Sequence, residues 1–254
     1  MHSPRSIAVL ASVSAFCLLL LPGPHAARAD DAAGFTPAQR ATIVEIMRNA
    51  LKSDPSILRD AIAALQDEEA SVKDAAARTA IGKAGSELTQ APGDPVAGNP
   101  NGDVTVVEFY DVRCPYCRRM LPVVADLLRS DSKVRFVYKD IPILGPASVV
   151  GAKAVLAAQR QGGYQRLHDL IMSGPPTVTE NTVRADAIRA GLDWGRLQRD
   201  MDDPAIVHRL NDNLSLARAL GIDGTPAYVI GGRLLPGALD LAQLQDAVAA
   251  ARVR

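Results

Sequence analysis

Two cysteines three positions apart, Cys114-Pro115-Tyr116-Cys117, sit where one kind of chain ends and another begins. Val104 to Tyr110 is β-branched and aromatic and predicts a strand. A helix is predicted to follow Cys114. A dithiol at that joint meets the free N–H groups and the positive end of the helix dipole, which favour a thiolate at the first cysteine. Pro115 at the first helical turn sacrifices no hydrogen bond. Arg113, Arg118 and Arg119 flank the pair and are expected to favour the thiolate further, an effect that salt would screen if they are surface residues.

The elements around the joint predict an α/β domain over residues 91–254. Val134–Lys139 is the second strand. A mostly helical block follows over about 146–220, with helices at Ala147–Arg160, Tyr164–Met172, Thr182–Ala190 and Ala205–Leu220. Ala227–Ile230 is a third strand. Gly231-Gly232 makes a tight hairpin into Arg233–Leu235, and Asp240 caps a last helix ending near Arg252. Strand, helix, strand, a helical insertion, hairpin and helix is an α/β architecture with an inserted helical subdomain.

The segment 30–90 is predicted to be helical. Thr36-Pro37-Ala38-Gln39 has the form of a capping box with proline at the first helical position, and Asp54-Pro55 repeats the start signal. In the second helix Leu58, Leu65 and Val72 recur every seven residues, a stripe narrow enough for a coiled-coil seam. Gly82 is expected to weaken its end. Two helices of this size bury little by themselves, so the expectation is self-association, with a plain surface helix as the alternative. Residues 91–103 hold three prolines and three glycines and predict a linker.

Residues 1–29 have the pattern of a cleavable signal peptide. Arg5 precedes an apolar run from Ile7 to Leu21, too short to span a membrane comfortably, and Ala27-Arg28-Ala29 supplies the small-x-small cleavage site. An uncleaved anchor is the alternative. Cleavage removes Cys17, leaving Cys114 and Cys117 alone in an oxidising compartment, the periplasm, where a thiol needs an explanation. With two cysteines left, this spacing arises by chance in about 1% of random placements. The chain carries 28 basic and 28 acidic residues, against a nucleic-acid-binding role; 48% apolar composition excludes a disordered chain.

Chemically the pair predicts thiol–disulfide exchange: Cys114 is the exposed thiol that forms the mixed disulfide, and Cys117, deeper in the turn, resolves it. A structural disulfide would close a loop too short to stabilise much. Zinc needs two more ligands, and His168 and His208 are not at ligand spacing; both are expected on helix surfaces. Copper(I) would suit two thiolates, with Met120 nearby as a third soft group. No cofactor is expected. Gly224-Thr225-Pro226-Ala227 before a strand is a candidate cis peptide, although an ordinary trans proline is the commoner case. Trp194 is expected to pack at a helix start.

Residues 106–117 (VVEFYDVRCPYC) and 221–232 (GIDGTPAYVIGG) resemble the DsbA-like thioredoxin superfamily, and the likeness covers about 97–254. The N-terminal helices resemble the oligomerisation region of its suppressor-of-copper-sensitivity protein C branch. The resemblance implies a thioredoxin fold and a redox-active Cys114–Cys117 disulfide, with Pro226 a cis-proline beside the cysteines and Thr225 offering backbone groups to substrate, a form of strand addition. Pro115 and Tyr116 border the same binding surface. It makes Glu108 the buried acid of the site, for which Lys139 is a candidate partner. It also implies a membrane redox partner, a DsbD-like reductase for an isomerase or a DsbB-like oxidase for an oxidase. The strong oxidants of the family carry histidine between the cysteines, whereas Pro-Tyr here supplies no cation. The expected potential therefore lies between roughly −120 and −270 mV, where disulfides are both made and broken.

Overall fold

The computed structural model describes residues 34–253, so the signal-peptide segment 1–29 and Cys17 lie outside the described residues. Helix α1 (Pro37–Ser53) starts as expected: Thr36 Oγ1 accepts from the Gln39 N–H and the Gln39 side chain accepts from the Thr36 N–H. Helix α2 (Ser56–Gln90) departs from helical geometry at Gly85, with φ 51°, three residues beyond the glycine expected to weaken it. The stripe Leu58, Leu65 and Val72 is exposed. Among the described residues no helix is long and apolar enough to cross a membrane.

The chain divides into two compact units at Ala61/Ile62, and the second holds one five-stranded sheet of order β1-β3-β2-β4-β5. Its central strands are β2 (Val104–Tyr110) and β3 (Val134–Asp140), which run parallel and are joined by α3 (Pro115–Ser130). Strand β4 (Ala227–Ile230) runs antiparallel to β2, and β5 (Arg233–Pro236) folds back on it. Gly231 and Gly232 have φ of 55° and 77°, the left-handed pair that a two-residue hairpin turn demands. One strand was not expected: β1 (Val96–Gly98), inside the predicted linker, pairs antiparallel with β3. Three residues between prolines and glycines carry too little pattern to announce a strand; the open edge of β3 creates it.

The insertion consists of α4 (Pro146–Gln159), α5 (Tyr164–Ser173), α6 (Glu180–Arg189), α7 (Trp194–Met201) and α8 (Pro204–Ala219). The eight-residue α7 was not foreseen as a helix, although Trp194 does open it after the Asp193 cap. Asp240 caps the last helix, α9 (Leu241–Arg252), as expected.

Side chains alternate across the sheet, so each strand feeds two cores. Val106, Tyr110, Phe136, Tyr138, Tyr228 and Ile230 enter the larger one, together with apolar residues of α3, α9 and the inserted helices. Val107, Phe109, Val137, Ala227 and Val229 face the other way and meet Ile81 and Leu88 of α2 and Leu216 and Leu220 of α8. The last third of α2 is therefore part of the second unit's packing, and Leu88→Ala should cost about 2–5 kcal/mol.

Candidate active site

Cys114 is the N-cap residue of α3 and Pro115 its first helical residue, as the position of the pair predicted. Both cysteines are free thiols in this structure. Cys117 is 1% exposed and Cys114 only 4%, so Cys114 is far more covered than the exposed thiol anticipated. The cover is the loop before β4: the Thr225–Pro226 peptide is cis, and Cys114 Sγ donates to the Thr225 carbonyl at 3.2 Å. Pro115 and Tyr116 stand exposed beside it.

The two thiols are driven apart in acidity. The Cys114 thiolate is held mainly by the Cys117 thiol and also by the N–H groups of Cys117 and Tyr116; against burial, these bring its pKa down to about 5. Burial, the same hydrogen bond and the charge of Glu108 push Cys117 far above the usual thiol range. The flanking arginines act otherwise than expected. Arg118 ties the site loop down, with Nε donating to the Val112 carbonyl at 3.0 Å and Nη1 to Gly174 at 2.8 Å. Arg113 donates to the Leu144 carbonyl, and Arg119 lies 4.5 Å over the Tyr116 ring. Hydrogen bonds within one turn, rather than these cations, account for the thiolate.

Glu108 is buried on the dithiol side of the sheet. Burial first, then the nearby charges of Asp140 and Cys114, raise its pKa to about 8, against the lowering effect of the Tyr228 hydroxyl, which donates to Oε1 at 2.8 Å. Lys139 is not its partner. Glu108 stands opposite Tyr138 in the β2–β3 register, and Lys139 stands opposite Phe109, so the pleat sends the two side chains to opposite faces. Lys139 instead meets Asp94 at 2.6 Å and the Glu87 carbonyl at 2.8 Å.

Near Glu108 lies a second buried acid that sequence reasoning missed. Asp140 accepts from Tyr110 at 2.5 Å and from Tyr164 at 3.2 Å, and burial raises its pKa to about 7. His168, expected at the surface, is buried among the rings of Tyr110, Tyr138 and Tyr164, with Nδ1 2.9 Å from Asp169. His208 is exposed, as expected. The tyrosines of β2 and α5 were visible in the sequence, but nothing local says that the hydroxyls of Tyr110 and Tyr164 converge on one carboxylate.

A dithiol of unequal acidity at a helix start, faced by a cis-proline on a mixed sheet, places this chain in the thioredoxin-fold class. The chain belongs to the DSBA-like thioredoxin domain family, whose model matches residues 105–249. It is similar to a thioredoxin-like oxidoreductase from Silicibacter pomeroyi, at 44% identity and a TM-score of 0.66 over 67% of this chain and 98% of that one. It is also similar to ScsC from Proteus mirabilis, at 28% identity and a TM-score of 0.64 over 86% and 99% of the two chains. A third likeness is to the thiol-disulfide exchange protein α-DsbA2 from Wolbachia pipientis, at 27% identity and a TM-score of 0.66 over 70% and 97%. Among curated proteins it is similar to the Na(+)/H(+) antiporter NhaA 3 of Salinispora tropica, at 31% identity over 63% of this chain, and it spans 26% of the length of that relative.

Proposed function

We propose that this chain is an exported, periplasmic thiol–disulfide oxidoreductase acting on proteins, in which Cys114 is the nucleophile and Cys117 the resolving thiol. The observation that carries the reading is the split in acidity within one helical turn. At neutral pH Cys114 is a thiolate and Cys117 a thiol. The Cys114 thiolate attacks a substrate disulfide, its sulfur bonds to one substrate sulfur, and the other leaves as a thiolate. Cys117 then loses its proton and attacks Cys114 Sγ. The substrate's second sulfur leaves, and two electrons have passed from the dithiol to the substrate as the Cys114–Cys117 disulfide forms. Oxidation of a substrate dithiol is the reverse sequence.

Glu108 takes the Cys117 proton in this scheme. With a pKa of about 8 it is mostly protonated at neutral pH, so its ionised fraction is the base, and Asp140 is a second buried acid on the same side. Thr225 and Pro226 line the substrate's backbone beside Cys114, and Pro115 and Tyr116 form the exposed turn over which the substrate lies. A thiolate pKa near 5 sits between the roughly 3.5 of the strong oxidant and about 7 of thioredoxin, which supports an intermediate potential and an isomerase or reductase role. The exposed apolar positions of α1 and α2 support self-association through residues 36–90, which would gather several dithiols round one misoxidised protein. In that role a DsbD-like membrane reductase keeps the dithiol reduced. The alternative is a DsbA-like oxidase recharged by a DsbB-like partner; a Cu(I)-binding role would use the same two thiolates.

The full chain should reactivate scrambled ribonuclease. Cys114→Ser should abolish all exchange, and Cys117→Ser should accumulate mixed disulfides; wild-type activity in both variants would refute the assignment. A dithiol recovered mainly reduced from cells supports the isomerase, and one recovered mainly oxidised supports the oxidase. Leu58→Asp with Leu65→Asp should leave a monomer by light scattering if α2 carries the self-association.

A further inference from the structure

Asp111 lies three residues before Cys114, is 2% exposed, and has no role in the scheme above. Its carboxylate accepts four hydrogen bonds. Oδ1 takes the Arg113 N–H at 2.8 Å and the Ser148 hydroxyl at 2.8 Å; Oδ2 takes the N–H groups of Ile143 at 2.9 Å and Leu144 at 3.0 Å. Three stretches of chain thus converge on one side chain: the site loop, the connection between β3 and α4, and the first turn of α4. Two further contacts brace the same junction. Arg113 Nη1 donates to the Leu144 carbonyl at 2.7 Å, and a Cβ at Gly151 of α4 would stand 2.6 Å from Val112 Cγ2.

This carboxylate holds something unusual. Ile143 and Leu144 are exposed, apolar and adjacent, in a connection whose backbone is fixed to the residues immediately before the nucleophile. Exposed apolar side chains whose backbone is tied to the loop leading into Cys114 offer a contact surface, and burying a carboxylate to hold them is costly unless its acceptors are satisfied, as here they are. We propose that Asp111 is a positioning residue for substrate: it sets Ile143 and Leu144 as an apolar ledge beside Cys114, and the ledge takes an apolar side chain of the segment that carries the reacting substrate cysteine. This rests on the reading of Cys114 as the nucleophile. The partner it fits is an unfolded or misoxidised chain whose cysteine lies near a leucine, phenylalanine or similar residue, the kind of segment that a native fold would bury.

Asp111→Asn separates this from a merely structural role. An amide in place of the carboxylate turns its NH2 either toward the two loop N–H groups or toward the Arg113 N–H, and so breaks one set of bonds while keeping the shape. The experiment uses the full chain and two disulfide-linked peptides that differ only in a leucine or a serine two residues from the cysteine. Asp111→Asn should raise KM for the leucine peptide by about tenfold, with kcat changed much less, and should move KM for the serine peptide little. Ile143→Ser with Leu144→Ser should do the same, and the triple variant should add nothing further, the sign that Asp111 acts through the ledge. In Asp111→Asn the amide protons of Ile143 and Leu144 should also exchange faster. Equal losses on both peptides, additive effects, or unchanged amide exchange would overturn the proposal. If Asp111→Asn does not fold, the loop variant alone decides the ledge: no preference lost, no ledge. Cys114→Ser run alongside tells the two readings apart, because exchange surviving in it defeats the assignment of the nucleophile, whereas the amide-exchange measurement judges Asp111 in either case.

Discussion

The two faces of one sheet treat buried charge in opposite ways. On the dithiol face, Glu108 and Asp140 are buried without a cation; tyrosine hydroxyls are their donors, and burial raises both carboxyl pKa values into the neutral range. On the other face, Lys139 and Asp94 are buried as an ion pair, and Arg209 approaches Asp94 to 3.5 Å. Adjacent residues of β3 supply both environments, since Lys139 and Asp140 point to opposite sides. A paired charge fixes its ionisation and serves packing. A carboxyl whose side-chain donors are hydroxyls keeps its proton exchangeable, which is what the proposed exchange at the dithiol would require.

The largest expected effect is on the paired face. Burial pushes the Asp94 carboxyl up and the Lys139 ammonium down despite their contact, so each depends on the other to remain charged. Lys139→Met leaves Asp94 buried with only the longer Arg209 contact and should cost about 3–5 kcal/mol in urea unfolding. The Cys114 thiolate, titrated by its absorbance near 240 nm, should not move. A thiolate pKa shifted by a unit or more would mean that the faces communicate and would break the comparison.

Glu108→Gln should act in the other direction. An acid whose pKa is raised from 4.5 to about 8 is protonated in the fold at pH values where the unfolded chain has already lost its proton. Its contribution is therefore most favourable below the unfolded value, declines as pH rises from about 4.5 to about 8, and stays low above that. The glutamine variant removes this decline. It should be more stable than wild type by a few kcal/mol at pH 8 and show little gain at pH 4. If Glu108 takes the Cys117 proton as proposed, the variant should also release substrate slowly from mixed disulfides. A stability difference independent of pH would sink the account of Glu108.

Strands β2 to β5, the start of α3, the hairpin and the capped starts of α1 and α9 were legible because each is written in local chemistry: β-branched runs, Pro115, paired glycines, Thr36 and Asp240, whereas β1 was not. The dithiol was legible from spacing alone. What stayed hidden depends on register. Which of Lys139 and Asp140 faces Glu108 is decided by a one-residue offset between β2 and β3, and no local pattern states that offset. The same is true of Tyr228, which stands opposite Glu108 across β4, and of His168, whose neighbours come from β2, β3 and its own helix.

Tyr228→Phe sharpens the comparison by a smaller step. It removes the hydroxyl that donates to Glu108 and should cost about 1–3 kcal/mol. That hydroxyl favours the carboxylate, so its loss should move the Glu108 pKa further up and extend the pH window of the preceding experiment to more alkaline values. The opposite shift would show that another donor governs the acid.

The smallest effect is expected from Arg119→Ala, and it tests where the acidity of the dithiol face comes from. Arg119 is exposed, its guanidinium rests on Tyr116, and solvent and salt screen its charge within about 10 Å at 0.1 M ionic strength. The thiolate is held instead by the Cys117 thiol and two N–H groups of its own turn, which this change leaves in place. The Cys114 pKa should therefore move by no more than about 0.3 units, and the shift should disappear in high salt. A salt-resistant rise of a full unit would show that the cations round the dithiol supply the stabilisation assigned here to the helical turn, and would make the dithiol face resemble its opposite, a charge settled by a countercharge.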